Sequence, residues 1–334
     1  MIILKVCIIG DIEGNLDEGM KNVAYNLFNL INKFEIELII INPKKIFHLG
    51  SLNQIRKFNP DIIHYIAGPT LMSFLITKIF KYFFGAKTII SVIHPRLLMS
   101  KRIISFLKPD LALIQSDKTG KLCEDLRFNK YFLPNGVDLD KFKPADQKRK
   151  DELRKKYNIS TNSLVVLHVG NLRSGRNLLL LDQINDGKIE TVIVSSTTIK
   201  GNKKVKKSLK KSGIKIFDNY CPNIEEFYNL SDCYLFPTFN ENNCIEIPLS
   251  VLEAMACNII VISTKFGGLS SLFQEGGGLK YVNSNEEIIH EIKNIQKNLS
   301  FQKVNTRDKI LEYSWENIVI ELLKIYKMIL DENN

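Results

Sequence analysis

Residues 244–263 read CIEIPLSVLEAMACNIIVIS, and the way this stretch folds decides the architecture around it. Pro248 suits the first turn of a helix, where its missing N–H would be unpaired anyway. Asn258 suits a left-handed exit, and IIVIS then reads as a buried strand. Between them, residues 249–257 carry one charge, Glu253. At helical spacing Val251, Leu252, Met255 and Ala256 fill one apolar side and Leu249 marks its edge. The other side holds only Ser250, Ala254 and Cys257. A helix without a solvated charged face is covered on both sides. That leaves a lone carboxylate at the edge of an apolar stripe, beside residues small enough to admit a ligand.

Outward from this stretch the chain alternates short apolar runs with helical patterns. Strands are expected at 2–9, 36–41, 61–65, 87–93, 110–114 and 130–133, with helices near 19–33, 51–58, 69–83, 99–107 and 117–126. The charged run ADQKRKDELRKKYNISTNS then reads as a linker or bridging helix. The rhythm restarts with strands at 164–169, 190–195, 214–217, 232–236 and 259–262, and helices at 176–185, 202–212, 223–230, 248–257 and 285–298. The last helix carries Trp315, Ile318, Leu322, Ile325 and Ile329 on one face. Strand and helix in alternation imply parallel sheets covered on both faces. The fold class expected is α/β, with two doubly wound, Rossmann-like domains facing across a cleft.

The 334 residues are enough for two domains. A content of 45% hydrophobic and 25% charged residues describes a globular chain. The net charge of +10 is densest in KGNKKVKKSLKKSGIK, with eight lysines from Lys200 to Lys215. That run reads first as a solvated helix face and second as contact with a membrane surface. Nucleic acid is disfavoured as a partner, since no aromatics interleave with the lysines. Six scattered cysteines without a C-x-x-C pair point to reduced thiols in a cytoplasmic protein and away from a zinc site. The N-terminal apolar run is interrupted too soon for a signal peptide. The stretch nearest to a membrane span, LMSFLITKIFKYFF at 71–84, is broken by Lys78 and Lys81 and reads as a crossover helix buried on one side.

Three stretches could carry chemistry. Gly10, Gly14 and Gly19 lie in GDIEGNLDEGMKNV after the first strand, where backbone N–H groups can cradle a phosphate. Their spacing is not that of a dinucleotide fingerprint, and the second strand ends in Asn42 instead of an acid, which disfavours a dehydrogenase. HVGNLRSGR places Arg173 and Arg176 just after a strand, where they could hold a diphosphate bidentately; two exposed loop arginines are the alternative. In the opening helix, Glu253 could accept from both hydroxyls of a ribose diol while a diphosphate lies near the helix N-terminus; a buried ion pair is the alternative. His94 and His64 end strands four and three. DLD at 138–140 reads as turn and cap chemistry, not as a metal motif.

LPNGVDLDKFKP, YNLSDCYLFPTFNENN and LSVLEAMACNIIVIST together resemble the retaining, nucleotide-sugar-dependent glycosyltransferases of family four, with the GT-B fold. PDIIHYIAG, IISVIHP, LKPDLALIQSDKTGKL and YSWENI support the resemblance, which covers nearly the whole chain in order. It implies an N-terminal acceptor domain over 1–143, a nucleotide-sugar donor domain over 144–312, and a C-terminal helix, 313–334, that packs back on the first. Glu253 matches the ribose-binding second glutamate of the family's paired motif. Arg176 matches the basic residue that neutralises the leaving diphosphate. Leu249 and Ser250 would offer backbone N–H groups to it, Gly19 stands for a glycine near donor and acceptor, and His94 for a histidine near the transferred sugar. Two positions depart from the pattern. The first glutamate falls at Ile245, so Glu246 is the substitute expected for it, and Asn171 replaces an arginine after Gly170, with Arg173 as compensation.

The activity implied is transfer of a sugar from a nucleotide diphosphate donor, UDP or GDP, to an acceptor hydroxyl, without metal or other cofactor. The acceptor would be lipid-linked or a polysaccharide, and the setting cytoplasmic, with peripheral contact at the inner membrane face as a further expectation. A nucleotide-sugar-binding protein without turnover, or an epimerase on the same fold, are the alternatives that Ile245 and Asn171 leave open.

Overall fold

The computed structural model describes residues 3–94, 104, 106–299 and 303–331, without the side chain of Ala67. The chain forms two compact units. Unit 1 takes residues 1–136, 244–247 and 315–334; unit 2 takes 137–243 and 248–314.

Unit 1 begins with β1 (Leu4–Ile9), α1 (Gly19–Ile31), β2 (Ile36–Ile41), α2 (Leu49–Phe58), β3 (Ile62–Gly68), α3 (Leu71–Phe84) and β4 (Lys87–Val92). It continues with β5 (Leu111–Ile114), α4 (Asp117–Asp125) and β6 (Lys130–Phe132). The strands form one parallel sheet in the order β2-β1-β3-β4-β5-β6. Strands buried on both faces need continuous apolar runs, which Val6–Ile9 and Ile89–Ile90 supply at full burial. Local chemistry sets the helix ends. The Glu18 carboxylate accepts from the Met20 and Lys21 N–H groups at the start of α1, and Thr70 with Ser73 closes a capping box on α3. Most of the helix expected at 99–107 lies outside the described residues.

Unit 2 contains α5 (Gln147–Lys156), β7 (Leu164–Val169), β8 (Ile189–Val194), α6 (Lys203–Lys211), β9 (Lys215–Phe217), α7 (Glu225–Leu230) and β10 (Cys233–Phe236). It ends with α8 (Leu249–Ala256), β11 (Ile260–Thr264), α9 (Leu269–Leu272), β12 (Leu279–Val282) and α10 (Asn285–Asn298). Its parallel sheet runs β12-β11-β10-β7-β8-β9. The charged stretch after residue 144 is helical, as α5. The helix expected at 176–185 is instead two 3₁₀ turns, Ser174–Arg176 and Leu178–Gln183. Asn177 between them adopts φ 59°, a left-handed conformation that ends one turn and starts another. Strand β12, after three consecutive glycines, was not expected.

The last helix, α11 (Trp315–Asp331), returns to unit 1 and packs on α1. The face expected from its spacing, from Trp315 to Ile329, is buried. The Tyr326 hydroxyl lies 2.7 Å from His64 Nδ1, and His64 Nε2 lies 2.8 Å from Ser91 Oγ. Burial pushes the His64 imidazole far below its usual range, so it is neutral there.

Candidate functional site

In unit 2 the chain leaves β7 toward β8 on one side, while β10 pairs with β7 on the other. Such a reversal opens a crevice beyond the carboxyl ends of the two strands, where ligands bind in doubly wound sheets. Gly170 and Asn171 follow β7, and Thr238 follows β10.

Four buried polar atoms after or near these strand ends have no hydrogen-bond partner among the described residues: His168 Nε2, Asn171 Oδ1, Arg176 Nε and Thr238 Oγ1. A buried polar atom left unpaired costs about 1–3 kcal/mol, so four in one region mark a place prepared for something else. Arg176 is the most telling. It is only 6% exposed, its guanidinium lies 5.9 Å from the Phe236 ring centroid, and among the described residues no carboxylate pairs with it. Arg154, buried nearby in sequence, shows the usual solution: its Nη2 meets Asp232 Oδ2 at 2.7 Å and its Nε donates to the Leu230 carbonyl. A buried cation without an anion is costly and invites one.

His168 gives the region a second function. Its Nδ1 lies 3.0 Å from the Leu235 carbonyl, which can only accept, so Nδ1 carries the proton and Nε2 the lone pair. Burial first, with the Arg176 charge adding to it and the carbonyl opposing it, pushes this imidazole down to about 4. A Cβ on Gly170 would lie 3.2 Å from His168 Nε2 and 3.4 Å from Arg176 Nη1. The glycine therefore keeps open a space bordered by an acceptor and a cation.

Helix α8 starts at Pro248 with no side chain capping it, so no side chain accepts from the N–H groups of its first turn. Ser250 Oγ itself accepts from the Tyr234 hydroxyl at 2.7 Å. One turn further on, Glu253 Oε2 accepts from the Tyr228 hydroxyl at 2.6 Å. No cation pairs with Glu253 among the described residues, so the ion-pair alternative does not hold. Burial raises this carboxyl above its usual range, against the pull of the Tyr228 hydrogen bond and the Lys141 charge. Arg173 is exposed on the loop before Arg176, so the two arginines differ in burial.

The remaining expected residues lie in unit 1. Gly19 opens α1, and a Cβ there would meet Ile245 Cδ1 at 3.1 Å. His94 follows β4 and is half-buried. Glu246 is 2% exposed. Its carboxylate accepts from Ser116 Oγ at 2.7 Å and from the Thr119 hydroxyl, while its N–H donates to the Ile93 carbonyl at 2.9 Å. Ser116 also caps α4. Glu246, expected beside a donor sugar, thus has its carboxylate engaged by hydroxyls of unit 1. His168, Thr238 and Tyr228 are the residues the sequence reading passed over; a histidine two positions before a strand-ending glycine was the available signal.

Among the described residues no cluster of three or more His, Cys, Asp or Glu is placed to hold a metal ion. Among them, too, no helix is long and apolar enough to cross a membrane.

Residues 149–314, about half of the chain, match the family described as glycosyl transferases group 1, and this segment belongs to that family. Two curated relatives agree. One is a putative teichuronic acid biosynthesis glycosyltransferase of Bacillus subtilis, 28% identical over 149 residues, covering 44% of this chain and 36% of that protein. The other is the UDP-Gal:alpha-D-GlcNAc-diphosphoundecaprenol alpha-1,3-galactosyltransferase of Escherichia coli, 28% identical over 216 residues, covering 60% of this chain and 53% of that protein. The chain thus spans between about a third and about half of the length of these relatives. Among solved structures, Anabaena HepE in complex with UDP and glucose aligns at TM-score 0.74 and 13% identity, over 97% of this chain and 99% of that one. Sucrose-phosphate synthase from Thermosynechococcus elongatus aligns at TM-score 0.78 and 14% identity, over 98% and 100%. The fold is GT-B, two doubly wound α/β units, as the sequence resemblance implied.

Proposed function

We propose that this protein binds a nucleoside diphosphate sugar on unit 2 and transfers the sugar to an acceptor hydroxyl with retained anomeric configuration. The observation that carries the reading is Arg176, a buried cation that no carboxylate pairs with among the described residues, in a family segment whose members transfer glycosyl groups. A donor diphosphate supplies the anion. The Leu249 and Ser250 N–H groups at the start of α8 would take its other oxygens. Glu253, with Tyr228 holding Oε2, would accept from the ribose hydroxyls, and His168 Nε2 from a hydroxyl of the ligand.

In the reaction the bond from the anomeric carbon to the diphosphate oxygen breaks and one to the acceptor oxygen forms. The diphosphate gains a negative charge and the acceptor gives up a proton. Arg176 and the α8 amides would stabilise that charge as it develops, in a setting of low dielectric. Arg173 and Asn171 would contact the same end of the donor. We expect no need for a divalent metal, since Arg176 and α8 meet the charge that a metal meets elsewhere; full activity in chelator agrees, and a strict requirement for Mg²⁺ or Mn²⁺ contradicts it. With Glu246 engaged by Ser116 and Thr119, a donor-binding protein without turnover is the second reading, distinguished by donor binding in the absence of any transfer.

The test is calorimetry of UDP, GDP and ADP with the wild type, Arg176→Ala and Glu253→Ala. Base-selective binding weakened at least about tenfold in both variants, about 1.4 kcal/mol, is expected. A folded wild type that binds none of the three nucleotides overturns the proposal.

A further inference from the structure

The helix read as a crossover buried on one side, α3, is indeed buried through Ser73, Phe74, Ile76, Thr77 and Phe80. Its other side is not the polar face that a surface helix of a globular unit carries. Leu71, Met72 and Ile79 are about 40–50% exposed, Tyr82 is 86% exposed and Phe83 72%. Phe106, 73% exposed, joins them through the Lys78 ammonium, 5.3 Å from its ring centroid. The Tyr82 and Phe83 rings meet edge to face at 5.7 Å. Single exposed apolar residues are ordinary, but a run of them along one helix marks a contact surface.

The charge around it narrows the occupant. Among the described residues from 62 to 109 the charged side chains are Lys78, Lys81, Lys87 and Lys108, with no Asp or Glu. The flanking acid, Asp110, is taken up by Lys81 and by the Thr88 N–H and hydroxyl. A second copy docking through the same face would set this basic segment against itself, since a two-fold contact uses one patch twice. An anionic lipid surface answers both properties at once: acyl chains take the apolar side chains, headgroups take the lysines, and tyrosine is at home at the boundary. The lysine-rich α6 lacks the first property, since its apolar residues Val205 and Leu209 are buried.

We infer that the outer face of α3, centred on Tyr82 and Phe83, is a docking surface for an anionic membrane. The proposal is independent of the donor site. Co-sedimentation with phosphatidylcholine vesicles, with and without phosphatidylglycerol, tests it. Three proteins are compared: the wild type, the double variant Tyr82→Ser with Phe83→Ser, and an α6 variant with Lys203→Gln, Lys207→Gln and Lys211→Gln. Both altered surfaces are exposed, and an unchanged thermal transition confirms folding. The wild type is expected to bind anionic vesicles at least tenfold more tightly than neutral ones. The double variant should lose at least tenfold on anionic vesicles, and the α6 variant should keep most of its binding. Absence of vesicle binding by the wild type overturns the inference, as does undiminished binding by the double variant. A wild-type dimer in light scattering that becomes monomeric in the double variant also overturns it, because the face would then serve self-association.

Discussion

At the scale of single residues, Glu253 and Arg176 share one property: each holds an ionised or ionisable group, half-buried in Glu253 and buried in Arg176, that forms no ion pair among the described residues. Such groups weaken the empty protein. For Glu253 the sign follows from burial, which raises its carboxyl above the usual 4.5. A folded pKa above the unfolded one means that the folded chain binds the proton more tightly, so the acid form is favoured at low pH and ionisation costs stability as pH rises. Glu253→Gln keeps an acceptor for the Tyr228 hydroxyl and removes that cost. It should therefore melt at or above the wild-type temperature at neutral pH. The gain should vanish below about pH 4, where the glutamate is protonated in both states. The same variant should bind nucleotide more weakly; a variant that melts lower at neutral pH contradicts the account. The sequence showed Glu253 as an anomaly because nothing charged stood near it on its helix. It could not show His168 or Thr238 as orphans, since an unpaired atom is defined by everything around it.

At the scale of elements, the segment 244–247 is the informative one. Its four residues belong to unit 1, while the chain before and after them belongs to unit 2. Glu246 fastens it by its carboxylate to Ser116 and Thr119, and the Asn135 amide donates to the Ile247 carbonyl at 2.7 Å. Glu246→Ala would take away the acceptor shared by the Ser116 and Thr119 hydroxyls. Since only one of the two can then donate to the other, a buried hydroxyl is left short of a partner at a cost of about 1–3 kcal/mol. Urea denaturation checks this, and a midpoint equal to that of the wild type would return Glu246 to a role in the chemistry. Strands and helices were legible because their period is local, the helix and strand after Pro248 among them. The fastening was not, because Ser116 lies 130 positions away. The double 3₁₀ turn was missed for a related reason: Leu178, Leu180 and Leu181 suit a helix face, and one left-handed Asn177 undoes it.

At the scale of the molecule, unit 1 is assembled from three separate pieces of chain. Its largest piece, residues 1–136, contains the whole six-stranded sheet but not α11, whose Trp315, Leu322 and Tyr326 are buried. Residues 1–136 expressed alone should lack a cooperative thermal transition, and a fragment that melts like the full chain would show α11 to be dispensable. The hydrogen bond between His64 and Tyr326 spans 262 positions. A ribosome adding about 5–20 residues per second needs roughly 13–50 seconds to cover that distance. For that time the nascent sheet of unit 1 waits with the surface meant for α11 uncovered, while all the sequence of unit 2 emerges. Of the two units, the one whose sheet is translated earlier is completed last, which makes it the one a ribosome-bound chaperone would hold.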